Sequence, residues 1–374
     1  MSAAGVPAAA REHPSARGLG HGLASGWQEL RSKVAAYLLV RHGLQGARLS
    51  GRPLSELVAA VYAREPGNAA FHLERLAYDW VRARQAHRGD PGTERLLAGP
   101  AGAALPEKSL ILLHSGMGMA LAELLLGRLG PRSRAAAFDA AVRRFVAASN
   151  ESSLPGYEAV PLEALGLIVR RFLPSLRSGV EGALRGLDPE LAGYYWHGVG
   201  RAIYFLPSLF FPFPGNVRRG LELCRREPPD AERRLDALSG FFFAVTMINL
   251  GHPVVLETYL RHLDESAGES AALASGAAAC AITLHQTSPG HPALATFLDY
   301  RPSPSPGATC RRELWERWVG SPCRDAVETL YPLLRARRQL ASLARHQSLP
   351  ALRKRLDLGA PGVGASPSPP EDQP

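Results

Sequence analysis

Glycine recurs inside segments that otherwise read as helices, and this constrains the chain more than any other feature. "HSGMGMALAELLL" places Gly116, Gly118 and Ala120 on successive turns, and "WHGVGRAIYFL" does the same with Gly198, Gly200 and Ala202. "LSGFFFAVTMINLG" carries Gly240 and Ala244, and "ASGAAACAITL" carries Gly276 and Cys280. A glycine in a helix interior costs about 1 kcal/mol relative to alanine, so its repeated use predicts helix axes that approach one another closely. The anchors Gly116, Gly198, Gly240 and Gly276 are 82, 42 and 36 residues apart, with Gly156 near the middle of the long gap. A period of about forty residues is the length of two helices and two turns, so the pattern predicts helical hairpins repeated in an α-solenoid-like array.

The stretches between these clusters agree. "WQELRSKVAAYLLVRHGL", "FHLERLAYDWVRARQA" and "RSRAAAFDAAVRRFVAAS" place apolar residues at i, i+3, i+4 and i+7, one face of a helix. Proline and glycine end such segments in "RLGPRS", "FLPSLRSG" and "NLGHPVV". No β-branched run of period two is present, so the expected class is all-α and multi-helical. Residues 1–25 and 359–374 are rich in Ala, Gly, Pro and Ser without periodicity, which predicts disordered termini. Between them, residues 26–358 are expected to form a single elongated all-α domain.

Charge enters here. The net charge is +9, carried by forty arginines and only three lysines, a skew that reads first as the composition of a GC-rich genome. Residues 301–358 hold twelve basic side chains against five acidic ones. This basic C-terminal subregion could meet an anionic surface or nucleic acid, although solvated helix faces carry such runs as well. The cysteines Cys224, Cys280, Cys310 and Cys323 form no C-x-x-C pair, which suggests reduced thiols and a cytoplasmic location. The N-terminus lacks an apolar signal core. The best membrane-length window, "SLILLHSGMGMALAELLLG", contains His114 and Glu123, and no transmembrane segment is expected.

The richest polar constellation is "YYWHGVGRAIYF". Its Gly198 and Gly200 are not followed by the third glycine that a dinucleotide-binding loop needs. On a helix beginning at Asp188 and Pro189, Tyr194, His197, Arg201 and Tyr204 share one face. That face offers a cation, a titratable imidazole and two phenols, and so is the candidate ligand-binding site. The alternative is a structural role, with Arg201 paired to Glu190, Glu232 or Asp236. The proline- and phenylalanine-rich run that follows, 206–214, reads either as a wall over the polar face or as an apolar plug between helices.

Other groups carry less. His252 and His262 flank Glu257 without any H-x-x-x-H spacing, His285, Ser288 and His291 fall in a turn, and no G-x-S-x-G elbow exists. His114 reads as a satisfied core histidine. No catalytic residue, metal site or cofactor is expected.

"GVGRAIYF", followed some forty residues later by "RRLDALSGFFFAVTMINLG", resembles the paired motifs of a bacterial family, a domain of unknown function associated with enediyne polyketide biosynthesis clusters. "HSGMGMALAELLLGRL" is similar to an earlier helix of that family, so the resemblance covers Leu105 to Thr283. Gly198, Gly200, Arg201 and Phe205 match the motif. Phe242 departs from it where the family has a small residue, as does the insertion at 206–214. The resemblance implies a place in natural-product metabolism rather than a reaction. The leading expectation is a non-catalytic helical protein that binds a protein partner or a small hydrophobic metabolite, an accessory factor in polyketide biosynthesis. An enzyme or carrier with a pocket walled by 194–214 is the alternative. Binding of an anionic surface or nucleic acid through 301–358 is the third reading, and nucleic acid is not the expected partner.

Overall fold

In the computed structural model, residues 16–42, 52–85, 95–213, 215–303 and 308–358 are described. Every regular element among them is a helix. The chain runs through α1 (Ala16–His42), α2 (Leu54–Arg64), α3 (Ala69–Gln85), the single turn α4 (Pro100–Ala103), α5 (Leu110–Leu126) and α6 (Ala135–Ser152). It continues through α7 (Val160–Phe172), α8 (Arg177–Leu187), α9 (Leu191–Tyr204), α10 (Asn216–Arg226), α11 (Ala231–Ile248), α12 (Val254–Leu260), α13 (Glu269–Thr287) and α14 (Pro292–Asp299). Two π-helical turns join α15 (Ala308–Trp315), α16 (Ser321–Asp325) and α17 (Tyr331–Ala336). A 3₁₀ turn, Leu340–Ala344, then leads to α18 (Leu349–Asp357). Of the termini expected to lack structure, 1–15 and 359–374 lie outside the described residues, and residues 16–25 begin α1.

The helices sort into two layers. α3, α5, α7, α9, α11 and α13 pack side by side in chain order, and α13 in turn touches α3. The ends of the row also meet through Gln286, which donates to the Glu107 carbonyl, and Ser288, which donates to that of Pro66. An open, elongated array has no such contact, so the expected elongation gives way to a ring of helices. α9 and α13 are buried around nearly their whole circumference, as befits helices apolar on all sides. α8 and α10 are amphipathic and lie outside them.

The glycines explain how the row packs. Positions two apart on a helix are rotated by about 200°, so paired glycines point to opposite sides rather than to successive turns of one face. A Cβ on Gly198 would lie 1.8 Å from the Glu163 carbonyl oxygen of α7, and one on Gly200 would lie 1.8 Å from that of Ala237 on α11. A Cβ on Gly116 would lie 2.0 Å from the Glu74 carbonyl oxygen of α3, and one on Gly118 2.5 Å from Pro161 Cα of α7. Each G-x-G is therefore a helix closely packed on both flanks. A Cβ on Gly240 would lie 1.8 Å from the His197 carbonyl oxygen, and one on Gly276 2.1 Å from that of Ser239. Gly156 is not part of this series. It has φ +90° and packs on Arg338 in a turn, and the α7 side of the crossing with α9 is made by Gly166, where a Cβ would lie 1.9 Å from the Tyr195 carbonyl oxygen.

Glu107–Leu126 is long and apolar enough to cross a bilayer, but 78% of its apolar window is buried inside the protein. It is a core helix of the ring.

Candidate functional site

A charged cluster sits where α9 crosses α7, and Glu163 is its pivot. This carboxylate interrupts the apolar run "VPLEALGLIV" of α7, and the close approach at Gly198 brings α9 within its reach. The Nδ1 atom of His197 lies 2.7 Å from Glu163 Oε1, and Arg201 Nη1 donates to Oε2 at 3.2 Å. Arg201 Nη2 donates to Glu74 Oε1 on α3 at 3.1 Å, and the Ser115 hydroxyl of α5 donates to that same oxygen at 2.6 Å. The guanidinium stands 5.1 Å from the Phe243 ring centroid of α11, beside which the His197 ring packs edge-on. Five helices thus meet at two carboxylates, one guanidinium and one imidazole.

Burial alone would push the Glu163 carboxyl up, but the Arg201 charge and then that of His197 more than offset this, holding it below the ordinary carboxylate value. Desolvation likewise opposes the Arg201 charge, which Glu163 and Glu74 restore and raise. An ionised Glu163 accepts a hydrogen bond from His197 Nδ1–H. The other nitrogen, Nε2, is buried and has no hydrogen-bond partner among the described residues, and neither has Arg201 Nε.

His197, Arg201, Glu163, Ser115 and Thr283 line a cavity whose remaining wall is Ile111, Leu112, Val160, Phe243, Leu343 and Ala344. Its volume is about 20 Å³, room for a water molecule, whereas ligand pockets hold about 300–1,000 Å³. The turn Leu340–Ala344 is the part of this wall that belongs to no helix of the ring. It is fastened on several sides. Ala341 N–H donates to the Gly156 carbonyl at 3.3 Å, and His346 N–H to Asp236 Oδ1 at 3.0 Å. Arg345 pairs with Glu190, and with Glu232 at 3.5 Å.

Of the four residues expected to form one polar face, only His197 and Arg201 come together at the cavity. Tyr194 lies under the Arg345 guanidinium, 5.6 Å from ring centroid to cation. Tyr204 accepts from Asn249 Nδ2 at 2.7 Å and carries Lys33 Nζ 3.9 Å from its ring centroid. The four span nearly three turns of α9, and each end meets a different neighbour. The Arg201 partners expected from sequence are also corrected. Glu190 and Glu232 serve Arg345, and Asp236 pairs with Arg233 at 2.9 Å. These carboxylates sit near the N-terminal ends of α9 and α11, whereas Arg201 lies at the α7 crossing.

The 206–213 segment does not line the cavity. Pro212 packs against Gly26 of α1, Leu209 is buried, and Phe211 and Phe213 are exposed; Pro214 lies outside the described residues. His114 is satisfied on both nitrogens, Nδ1 donating to the Leu110 carbonyl at 2.7 Å and Nε2 accepting from Leu154 N–H at 3.0 Å. His291 caps α14 and Ser288 bonds to the Pro66 carbonyl, so these and His285 form no common site. His252 accepts from Gln28 and Glu257 from Tyr300. Cys224, Cys280 and Cys323 are buried free thiols; the Cys310 side chain lies outside the described residues. In the basic subregion Arg317, Arg324, Arg335, Arg345 and Arg353 are each paired with a carboxylate. Among the described residues no three His, Cys, Asp or Glu side chains are placed to hold a metal ion.

Sequence reasoning missed Glu163, Glu74 and Ser115. Only Glu163 carried a signal, as the one carboxylate in an apolar helix. Comparison with protein-family models, with curated proteins and with solved structures gives no match to this chain.

Proposed function

We propose that this protein is a non-catalytic binding protein that receives a small, largely apolar metabolite bearing one polar group at the centre of its helix ring. The observation that carries this is His197 Nε2, buried and unpartnered in the wall of a cavity that is otherwise mostly apolar. A buried polar atom left unsatisfied costs roughly 1–3 kcal/mol, and a hydroxyl on a bound molecule satisfies it. Arg201 commits both Nη groups to carboxylates, which favours a neutral polar group over a phosphate. An occupant larger than water requires the Leu340–Ala344 turn to lift. The resemblance to the enediyne-associated family supports an accessory role in bacterial natural-product biosynthesis.

A second reading is favoured by one feature of the same site. A carboxylate orienting an imidazole whose other nitrogen faces a cavity is the arrangement of a general base, with Glu163 as the orienting group. Native mass spectrometry of protein isolated from its own cells tests the first reading. The expected result is a stoichiometric mass increment that disappears in His197→Phe. A bare chain, or an increment unchanged in the variant, overturns it. If the bound molecule is instead recovered chemically altered by wild type and unaltered from His197→Gln, the general-base reading replaces it.

A further inference from the structure

Several polar residues of α1 turn inward. Ser25 bonds Thr258 at 3.2 Å, Gln28 donates to His252 at 2.6 Å, and Glu29 accepts from Tyr259 at 3.2 Å. Lys33, only 2% exposed, donates to the Leu209 carbonyl at 2.9 Å and pairs with Glu29 at 2.9 Å. Ala36 is buried and Leu30, Leu39 and Val40 are half-buried, but four large apolar side chains turn outward: Trp27 is 56% exposed, Tyr37 54%, Leu38 47% and Val34 40%. Trp27, Arg31, Val34, Leu38 and Arg41 fall at i, i+4, i+7, i+11 and i+14, a single stripe.

A second element continues this surface. Leu209 is held by Lys33, and Pro212 packs on Gly26, so the loop carrying Phe211 and Phe213 is fastened to α1 at the residue before Trp27. Both phenylalanines are more than half exposed. α10 begins just after them with Arg218 and Arg219, both exposed, which open a shallow depression of about 410 Å³ that also includes Arg225 and His262. Its acidic member, Glu222, pairs with Arg226 at 3.6 Å, and Arg225 is taken by Glu269. Arg218 and Arg219 make no ion pair with any described residue.

We infer that this face docks on an anionic lipid surface, with α1 lying in the interfacial plane and the Phe211–Phe213 loop entering the bilayer boundary. The apolar groups are the exposed face of one helix and the exposed side chains of one loop, and none of them lines a cavity that a partner helix would fill. Exposed Trp, Leu and Phe side chains with arginines beside them are the residue types of interfacial segments, which bury the apolar groups at the headgroup boundary, and the adjoining arginines complement acidic headgroups. None of these residues lines the central cavity, so the proposal stands independently of the function assigned there.

Co-sedimentation of the full chain with vesicles tests it. Phosphatidylcholine vesicles containing phosphatidylglycerol should bind the protein and pure phosphatidylcholine vesicles much less. Phe211→Ser with Phe213→Ser should weaken binding by about tenfold or more with thermal unfolding unchanged, since both side chains are exposed. Arg218→Gln with Arg219→Gln should remove most of the preference for phosphatidylglycerol and flatten the salt dependence. Failure of the wild type to sediment with anionic vesicles overturns the proposal, as does binding untouched by both double variants. So does a wild-type dimer that the phenylalanine variant converts to monomer, which would make this face a contact between copies. Competition by inorganic phosphate with no effect of the phenylalanine changes would reduce it to a simple anion site.

Discussion

At Glu163 one buried carboxylate is balanced by an imidazole and a guanidinium, and the balance is what makes the position sensitive. Removing one member of a buried ionic cluster leaves the rest uncompensated and costs about 3–5 kcal/mol. Glu163→Gln should therefore lower the urea midpoint sharply, and a loss below about 1 kcal/mol would show that Arg201 needs only Glu74. His114 gives a pH dependence with a definite sign. Burial lowers its pKa from 6.5 to about 4, against the opposing bond to Leu110. The folded protein thus refuses a proton that the unfolded chain accepts between these values. Stability is complete above pH 6.5 and falls as the pH drops toward 4, by up to about 3 kcal/mol. His346, lowered to about 4 chiefly by burial, acts in the same direction. Urea unfolding at neutral pH and at about pH 5 should show a smaller pH effect in His114→Gln than in wild type; equal effects would refute the assignment.

The helices themselves predict opposite outcomes for one kind of substitution. Gly182 and Gly186, on α8, have open space where a Cβ would stand. Alanine there should stabilise by roughly 0.5–1 kcal/mol, because it restricts the unfolded chain and favours the helix. On α9 the same change meets the Glu163 backbone at Gly198 and the Ala237 backbone at Gly200. Backbone cannot move aside as a side chain does, so Gly198→Ala should destabilise by about 1–3 kcal/mol or more despite the better helix propensity. Melting temperatures of the two sets, rising in one and falling in the other, check this directly.

Across the whole molecule, the C-terminal turn closes what the ring of helices surrounds. Arg345 and His346 are tied to α9 and α11 through Glu190 and Asp236, so a segment from the end of the chain forms part of the central wall. Asp236→Ala frees the His346 amide from a charged acceptor, and its hydrogen exchange should accelerate by about tenfold or more while core amides of α5 keep their protection. Exchange mass spectrometry reads both. If residues 340–347 exchange as slowly as before, the turn is held without the Asp236 bond, by the Ala341–Gly156 hydrogen bond, the Arg345 pairs and its apolar contacts, and lifting it to admit a ligand becomes correspondingly harder.

The all-α class, the close approach of the helices and the shared side of His197 and Arg201 on α9 were legible in the sequence. Each depends on local information: apolar spacing of 3.6, glycine where helix interiors disfavour it, and a histidine and arginine four positions apart on α9. The partners of those residues were not legible, because they are chosen by which helices cross. Glu163 lies 38 residues from Arg201, and Glu74 lies 127 residues away. Tyr194 and Tyr204 looked like members of the same face because helical phase alone decides that, yet their distance along the axis gives them different neighbours. Ring closure likewise rests on contacts between α13 and α3 that no local pattern encodes. Sequence determined which helices form and that they pack tightly; tertiary structure decided which faces meet, and hence that a charged cluster lies at the centre while an apolar stripe of α1 faces outward.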